Sequence, residues 1–174
     1  LSRVSKNAGG LPVLGHGSEQ IVMADGNDVI KLLFNTISPD EARTNEEARK
    51  LQTEADICQE YLKDYWMPTT FETVEIANGS RHAVIARQER LVDPTFYIAS
   101  AGIKASPKLQ DTAENLLRLH REVGLLPDLL GPDNIEIIPP DGSLRQIDTI
   151  PVRPSVLAET ANGRQMTNGE LLLQ

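Results

Sequence analysis

The chain has 174 residues, 40% of them hydrophobic and 24% charged, which fits one water-soluble domain with a substantial core. Its formal net charge of −8 argues against a nucleic-acid surface, which needs clustered Lys and Arg. No run is long and apolar enough to cross a membrane and no signal peptide is visible. The single cysteine, Cys58, excludes an internal disulfide framework and sets the expected location as cytoplasmic, of the producing cell or of a host cell that receives the protein. Leu1 in place of Met leads us to expect a trimmed chain or a piece of a longer polypeptide.

In chain order, three short strands are expected first, around Leu11 to Leu14, Gln20 to Ala24 and Asp28 to Phe34. Asp25-Gly26-Asn27 makes the tight turn between the second and third. Ser38-Pro39-Asp40-Glu41 reads as a helix start, with Ser38 as cap and Pro39 at the first helical position. In the helix that follows, Ala48, Leu51, Ala55, Cys58, Leu62 and Tyr65 recur at three- and four-residue steps and form one apolar stripe. Glu47, Glu54 and Tyr61 run beside it at the border with solvent. Strands over Phe71 to Ile76 and His82 to Ile85 follow, joined by Asn78-Gly79-Ser80. Glu89-Arg90-Leu91-Val92 would connect to a second part. Between Asp93 and Pro107 one short helix is expected. Thr112 to Val123 is amphipathic, with Ala113, Leu116, Leu117, His120 and Val123 on one face. Ile135 to Ile138 and Leu144 to Ile147 make a third hairpin around Asp141-Gly142, and a polar tail with Pro151 and Pro154 closes the chain.

Leu14-Gly15-His16-Gly17-Ser18-Glu19-Gln20-Ile21-Val22, followed by Val29-Ile30-Lys31, is the most telling stretch. Two glycines let a backbone approach a phosphate, and the lysine meets that phosphate with its charge. Asp128, Asn134 and Asp148 are the residue types that hold Mg²⁺ against a triphosphate. Glycine loop, lysine, helix with a glutamate, then Asp, Asn and Asp, in that order from about Leu14 to Asp148, resemble the protein kinase-like superfamily. The form it resembles is a minimal domain of the kind found in bacterial effectors and in phage- or plasmid-encoded polyvalent proteins.

The resemblance implies an α+β fold: residues 1–90 as a five-stranded antiparallel N-lobe with one long helix, and 91–174 as a much reduced C-lobe. It implies ATP and Mg²⁺ as cofactors, with Gly15, Gly17, Val22, Lys31 and Glu89 at the nucleotide. Glu54 pairs with Lys31, Glu47 being the competitor one heptad earlier. Asp128 accepts or orients the acceptor hydroxyl, with Asp133 as the other acid of that loop, and Asn134 and Asp148 ligate the metal. Four departures carry their own implications. Gln20 stands where a third glycine is usual, giving a less open cover. Leu126-Pro127 replace His-Arg, so no phosphorylated activation segment docks. The gap from Asp128 to Asn134 is one residue longer than usual. Thr149-Ile150 replace Phe-Gly, so no flipping switch is expected.

Taken separately, each motif has a plainer reading. Gly15 and Gly17 fit a glycine-rich β-turn, Glu54 a solvated helix acid, residues 126–135 a turn before a strand, and Asp148 a strand-end cap. His120 reads as a satisfied packing histidine, and Trp66 with Tyr65 and Met67 as a plug at the base of the first lobe. The expected activity is transfer of the ATP γ-phosphoryl group to a hydroxyl, with a protein as acceptor or as activating partner, and with neither nucleic acid nor membrane involved. The alternatives are a pseudokinase acting as a nucleotide-binding or protein-interaction module, and a related fold that transfers AMP or phosphorylates a small molecule.

Overall fold

The computed structural model describes residues 7–8, 10–76, 78–91, 95–96, 107–128, 135–138, 143–148, 150, 157–159 and 165–167. The fold is α+β, and the chain divides into two units, Leu1–Thr53 with Pro68–Val92 and Glu54–Met67 with Asp93–Gln174.

The first unit is an antiparallel sheet of β1 (Asn7–Ala8), β2 (Leu11–His16), β3 (Gln20–Asp25), β4 (Asp28–Leu33), β5 (Thr70–Ile76) and β6 (Arg81–Glu89), in the order β1-β2-β3-β4-β6-β5. Five of these are the strands expected from alternation; four are longer than expected by one to five residues, and β4 ends at Leu33, one residue short of the expected Phe34. Gly26, at φ 60, makes the β3–β4 turn, and Asn78 and Gly79, at φ 57 and 79, make the β5–β6 turn. These are left-handed backbone positions that Gly and Asn tolerate. One face of the sheet gathers Met23, Ile30 and Ile85 with half-buried Leu11, Val13, Ile21, Leu32 and Val74. At the end of that face Arg87 reaches Asp25 at 2.9 Å, Asp28 at 3.1 Å and Glu72 at 3.7 Å, tying β6 to β3, β4 and β5. Hydrogen bonds to Asp25 and Asp28 push the Arg87 guanidinium further up from its already high value.

After β4 the chain passes a 3₁₀ turn (Phe34–Thr36) and lies against β6. Thr36 Oγ1 accepts the Val84 N–H at 2.8 Å, and Ser38 and His82 exchange two backbone bonds. That pairing corrects the expected helix cap. Ser38 is held as a bridge partner of β6, so its Oγ only accepts the Asp40 N–H at 3.0 Å. The cap of α1 (Glu41–Leu62) is Asp40, whose Oδ1 accepts the Arg43 N–H at 3.1 Å. The stripe along α1 is as expected: Ala48, Leu51, Ala55, Cys58, Leu62 and Tyr65 are all buried, and Glu47, Glu54 and Tyr61 are half-buried beside it. Gln52 fastens the helix to the start of β5, accepting the Phe71 N–H at 2.8 Å and donating to the Thr69 carbonyl at 3.3 Å.

The second unit takes α1 from Glu54 onward, a 3₁₀ turn (Lys63–Tyr65), α2 (Pro107–Val123), and three short strands, β7 (Thr95–Phe96), β8 (Ile135–Ile138) and β9 (Ser143–Gln146), paired in that order. Its core joins Cys58, Leu62, Tyr65 and Trp66 to Leu116, Leu119, Leu125 and Leu126. Each fully buried leucine there contributes about 1.5–3 kcal/mol relative to an exposed one. Tyr65 and Trp66, expected as a plug of the first lobe, belong to the core of this second unit. On α2 the expected face is partly right. Leu116 is buried and Leu117, His120 and Val123 are half-buried, but Ala113 is exposed and Leu119, left off that face, is 0% exposed. Among the described residues Nδ1 of His120 is buried without a hydrogen bond, so the histidine packs but is not fully satisfied. Gly124, at φ 74, ends the helix, its N–H shared between the carbonyls of Leu119 and His120.

Where one short helix was expected between Asp93 and Pro107, Thr95–Phe96 is a strand against β8; residues 97–106 lie outside the described set. The tail holds an unforeseen hairpin of β10 (Leu157–Glu159) and β11 (Gln165–Thr167). Among the described residues no helix is long and apolar enough to cross a membrane.

Candidate functional site

In the first unit the ladder assembles one row of side chains. Gly15 pairs with Val22, Val22 with Lys31, Lys31 with Ala86, and Ala86 with Phe71. Residues directly opposite in a sheet share a face, and strands lie about 4.8 Å apart, so Gly15 and Lys31 are separated by about 10 Å on one surface. Lys31 is only 7% exposed. An ammonium removed from water that far needs compensation, and Lys31 is not left without a partner. Its row neighbour on β6, Ala86, is small, and so is Ala24, which lies on the same face of β3 opposite Val29.

The register shifts between Val13 and Gly15, so Leu14 is the extra residue of a β-bulge and stands 48% exposed. The bulge turns Gly15 onto the Lys31 face. The following loop closes when the Gly17 N–H donates to the Gln20 carbonyl at 2.9 Å. Gln20 is already part of β3, opposite Leu33. Neither Gly15 nor Gly17 has a positive φ, and a Cβ on either would meet nothing within 4 Å. The fold therefore has no backbone or packing need for glycine at 15 or 17, and the space a Cβ would occupy is open.

Val22 shares the row with Lys31. Glu89 does not: it ends β6 opposite Asp28, on the face of Arg87, leaving its main chain rather than its carboxylate for a ligand on the Lys31 face. Beside Glu89, Gln88 shares that face with Ala86; it is buried and donates to Thr69 Oγ1 at 2.9 Å.

In the second unit Gln146 organises the candidate acids. Its Nε2 donates to the backbone carbonyl of Asp128 at 3.0 Å and to that of Asp148 at 3.1 Å. Asp128 and Asp148 are thus brought together through their main chains, 20 residues apart in sequence. Both are half-buried, and Oδ1 of Asp148 is withdrawn from solvent. The loop before Asp128 is anchored by burial: Leu126 is 0% exposed and Pro127 is also fully buried. Where the kinase pattern has His-Arg, this chain inserts core. Asn134 and Asp133 lie outside the described residues. Among the described residues no cluster of three His, Cys, Asp or Glu forms, and Mg²⁺ needs none, since it takes one or two protein oxygens beside water and phosphate.

Of the two helix acids, Glu47 meets Lys50 at 3.4 Å on the surface. Glu54 stands half-buried one turn before Cys58; burial, then the Glu54 charge, push the Cys58 thiol up to about 12. A groove of about 590 Å³ in the second unit, bordered by Asp64, Tyr65, Asp111 and Arg145, contains none of the residues expected at the site.

Gln146 and Gln88 were missed by sequence reasoning. The signal for Gln146 was present: in Leu144-Arg145-Gln146-Ile147-Asp148 an amide occupies the strand position in phase with Leu144 and Asp148.

No family model matches the chain, and no curated protein matches it. Among solved structures it is similar, at 18% identity, to "Co-crystal structure of WbdD and kinase inhibitor LY294002", over 82% of this chain and 33% of that chain, with a TM-score of 0.40. It is also similar, at 18% identity, to "Medium resolution structure of the bifunctional kinase-methyltransferase WbdD", over 78% of this chain and 30% of that chain, with a TM-score of 0.38. The chain spans about a third of the length of these two solved chains.

Proposed function

We propose that this chain is a minimal kinase-like phosphotransferase that uses ATP and Mg²⁺ to phosphorylate a hydroxyl, that of a protein. The observation that carries this reading is the row Gly15–Val22–Lys31–Ala86 on one sheet face. It sets a buried cation two strands from glycines whose missing side chains the fold does not require. An open backbone beside a sequestered positive charge suits a polyphosphate, whose oxygens take N–H donors and ammonium together.

In this reading Gly15 and Gly17 cover the phosphates, Lys31 neutralises them, and Glu54 orients Lys31. Val22 packs on the nucleotide, and the Glu89 backbone lies at its edge. Asp128 receives the proton of the acceptor hydroxyl as its oxygen bonds to the γ-phosphorus and the bond to ADP breaks. Asn134 and Asp148 are the residues that would hold Mg²⁺, which supplies positive charge against the phosphate oxygens.

A second reading has its own observation: Leu126 and Pro127 bury where catalytic kinases carry polar residues, as befits a nucleotide-binding module without transfer. Incubation with γ-labelled ATP, Mg²⁺ and a panel of protein acceptors separates the two. The phosphotransferase incorporates label and adds one phosphoryl group by mass. Binding of ATP without incorporation would establish the module, and an added adenylyl group would establish AMP transfer.

A further inference from the structure

We propose that Gln146 is a positioning residue that fixes the spacing between the acid of the catalytic loop, Asp128, and the metal-binding acid, Asp148. The proposal rests on the phosphotransferase reading above and adds to it a residue that no motif assigns.

The geometry leaves the amide one orientation. A primary amide has two N–H donors on nitrogen and lone pairs on oxygen. The carbonyls of Asp128 and Asp148 only accept, so Nε2 faces them, at 3.0 and 3.1 Å, and both of its hydrogens are used. Oε1 then faces the Tyr65 hydroxyl, which donates to it at 3.0 Å. Burial pushes the Tyr65 phenol well up from its ordinary value, so this donor keeps its proton throughout the working pH range. The main chain of Gln146 is fixed as well, because its carbonyl accepts the Met67 N–H at 3.1 Å.

The side chain is 0% exposed, and Tyr65 and Leu144 beside it belong to or border the apolar core. An aliphatic residue would fill such a place with no polar atoms to satisfy. An amide with every donor used is instead stiff and directional. It leaves one nitrogen as the common reference for two segments 20 residues apart. A shift of about 1 Å between reacting groups costs on the order of 10²-fold in rate, so this reference bears on turnover far more than on nucleotide affinity.

The test is steady-state phosphorylation by the full chain with Mg·ATP, using Gln146→Glu and Tyr65→Phe, with thermal unfolding recorded for each. Gln146→Glu keeps the volume and turns an oxygen toward two carbonyls. We expect kcat to fall about 10²-fold with KM for ATP unchanged. Tyr65→Phe leaves Nε2 in place but frees the amide to swing, and a kcat loss of about fivefold, the worth of one hydrogen bond, is expected. Should Gln146→Glu fail to fold, Tyr65→Phe carries the same split between kcat and KM. Folded variants with wild-type kcat would overturn the role of Gln146 and leave the phosphotransferase reading standing. A rise in KM for ATP in step with lost kcat, or a loss that follows the unfolded fraction, would make Gln146 a structural residue only. A wild-type chain that neither binds Mg·ATP nor transfers phosphate would bring down the phosphotransferase reading, and this proposal with it.

Discussion

The two units place their charged side chains by opposite means. In the first, Lys31 is set by a ladder: β4 is flanked by β3 and β6, and five residue pairs to β6 and six to β3 fix which way position 31 points. In the second, the side-chain amide of Gln146 ties Asp128 and Asp148 to each other. A ladder is redundant, because losing one rung leaves the others to hold the register. A buried amide that ties two segments is less so, because its loss removes a hydrogen bond from each of them at once. The first unit should accordingly tolerate substitution at its functional residues without change of structure, and the second should not.

The largest effect belongs to Asp148. Asp148→Ala is expected to abolish Mg²⁺-dependent ATP binding, measured by calorimetry with and without the metal; binding that survives intact would remove the metal role from this carboxylate. Next comes Lys31→Met, which exchanges a buried ammonium for an apolar side chain of similar length in the same row. Transfer should drop by about 10²–10³-fold, the loss typical when one preorganised electrostatic contact to the transition state is deleted. The chain should remain folded, because the residue pairs to β3 and β6 on either side keep the register of β4. A chain that unfolds on this substitution would show that the ladder is less forgiving than its register implies. Within the second unit, Leu119→Ala should destabilise by about 2–5 kcal/mol in denaturant titration, because Leu119 is 0% exposed and part of the core that also seats Leu126, two residues before Asp128. An undiminished rate per folded molecule would separate that core from the chemistry.

What could be read from the sequence follows the same division. The strands of the first unit announced themselves by alternation, their turns by Asp25-Gly26-Asn27 and Asn78-Gly79-Ser80, and α1 by a stripe in which each of six positions proved buried. All of these are local periodicities. The errors came where a long-range partner decided. Ser38 looks like a cap in its own context, yet pairing with His82 takes its backbone and leaves Asp40 to cap α1. Leu119 fell off the expected face of α2 because that face was drawn around Ala113, which is exposed; the partners that bury Leu119 come from α1 and from Leu125 and Leu126. Three-residue strands such as Leu157–Glu159 carry too few alternations to register. Of the candidate site, Lys31 was legible as the lysine that follows Val29-Ile30, while the row that sets it beside Val22 and Ala86 came from the pairing of the strands. The phase of its strand marks Gln146 itself, but its network was not legible, because the partners Tyr65, Asp128 and Asp148 are scattered along the chain.

The smallest effects give the sharpest contrast, since they compare glycines that differ in why they are glycine. Gly26 sits at φ 60 in the β3–β4 turn, a conformation that costs an L-residue about 1–2 kcal/mol. Gly15 has no positive φ and open space where its Cβ would go. Gly26→Ala should therefore lower the thermal midpoint by several degrees, as about 1 kcal/mol does in a domain of this size, while ATP binding by the folded fraction stays as it was. Gly15→Ala should leave the midpoint unchanged or slightly raised, because alanine restricts the unfolded chain more than glycine does. If the proposed nucleotide site is right, it should nonetheless weaken ATP binding, since a methyl group would enter the open space beside the backbone on the Lys31 face. If Gly15→Ala binds ATP as well as the parent chain, the glycines are an ordinary hairpin and the row around Lys31 has lost its reason to face a nucleotide.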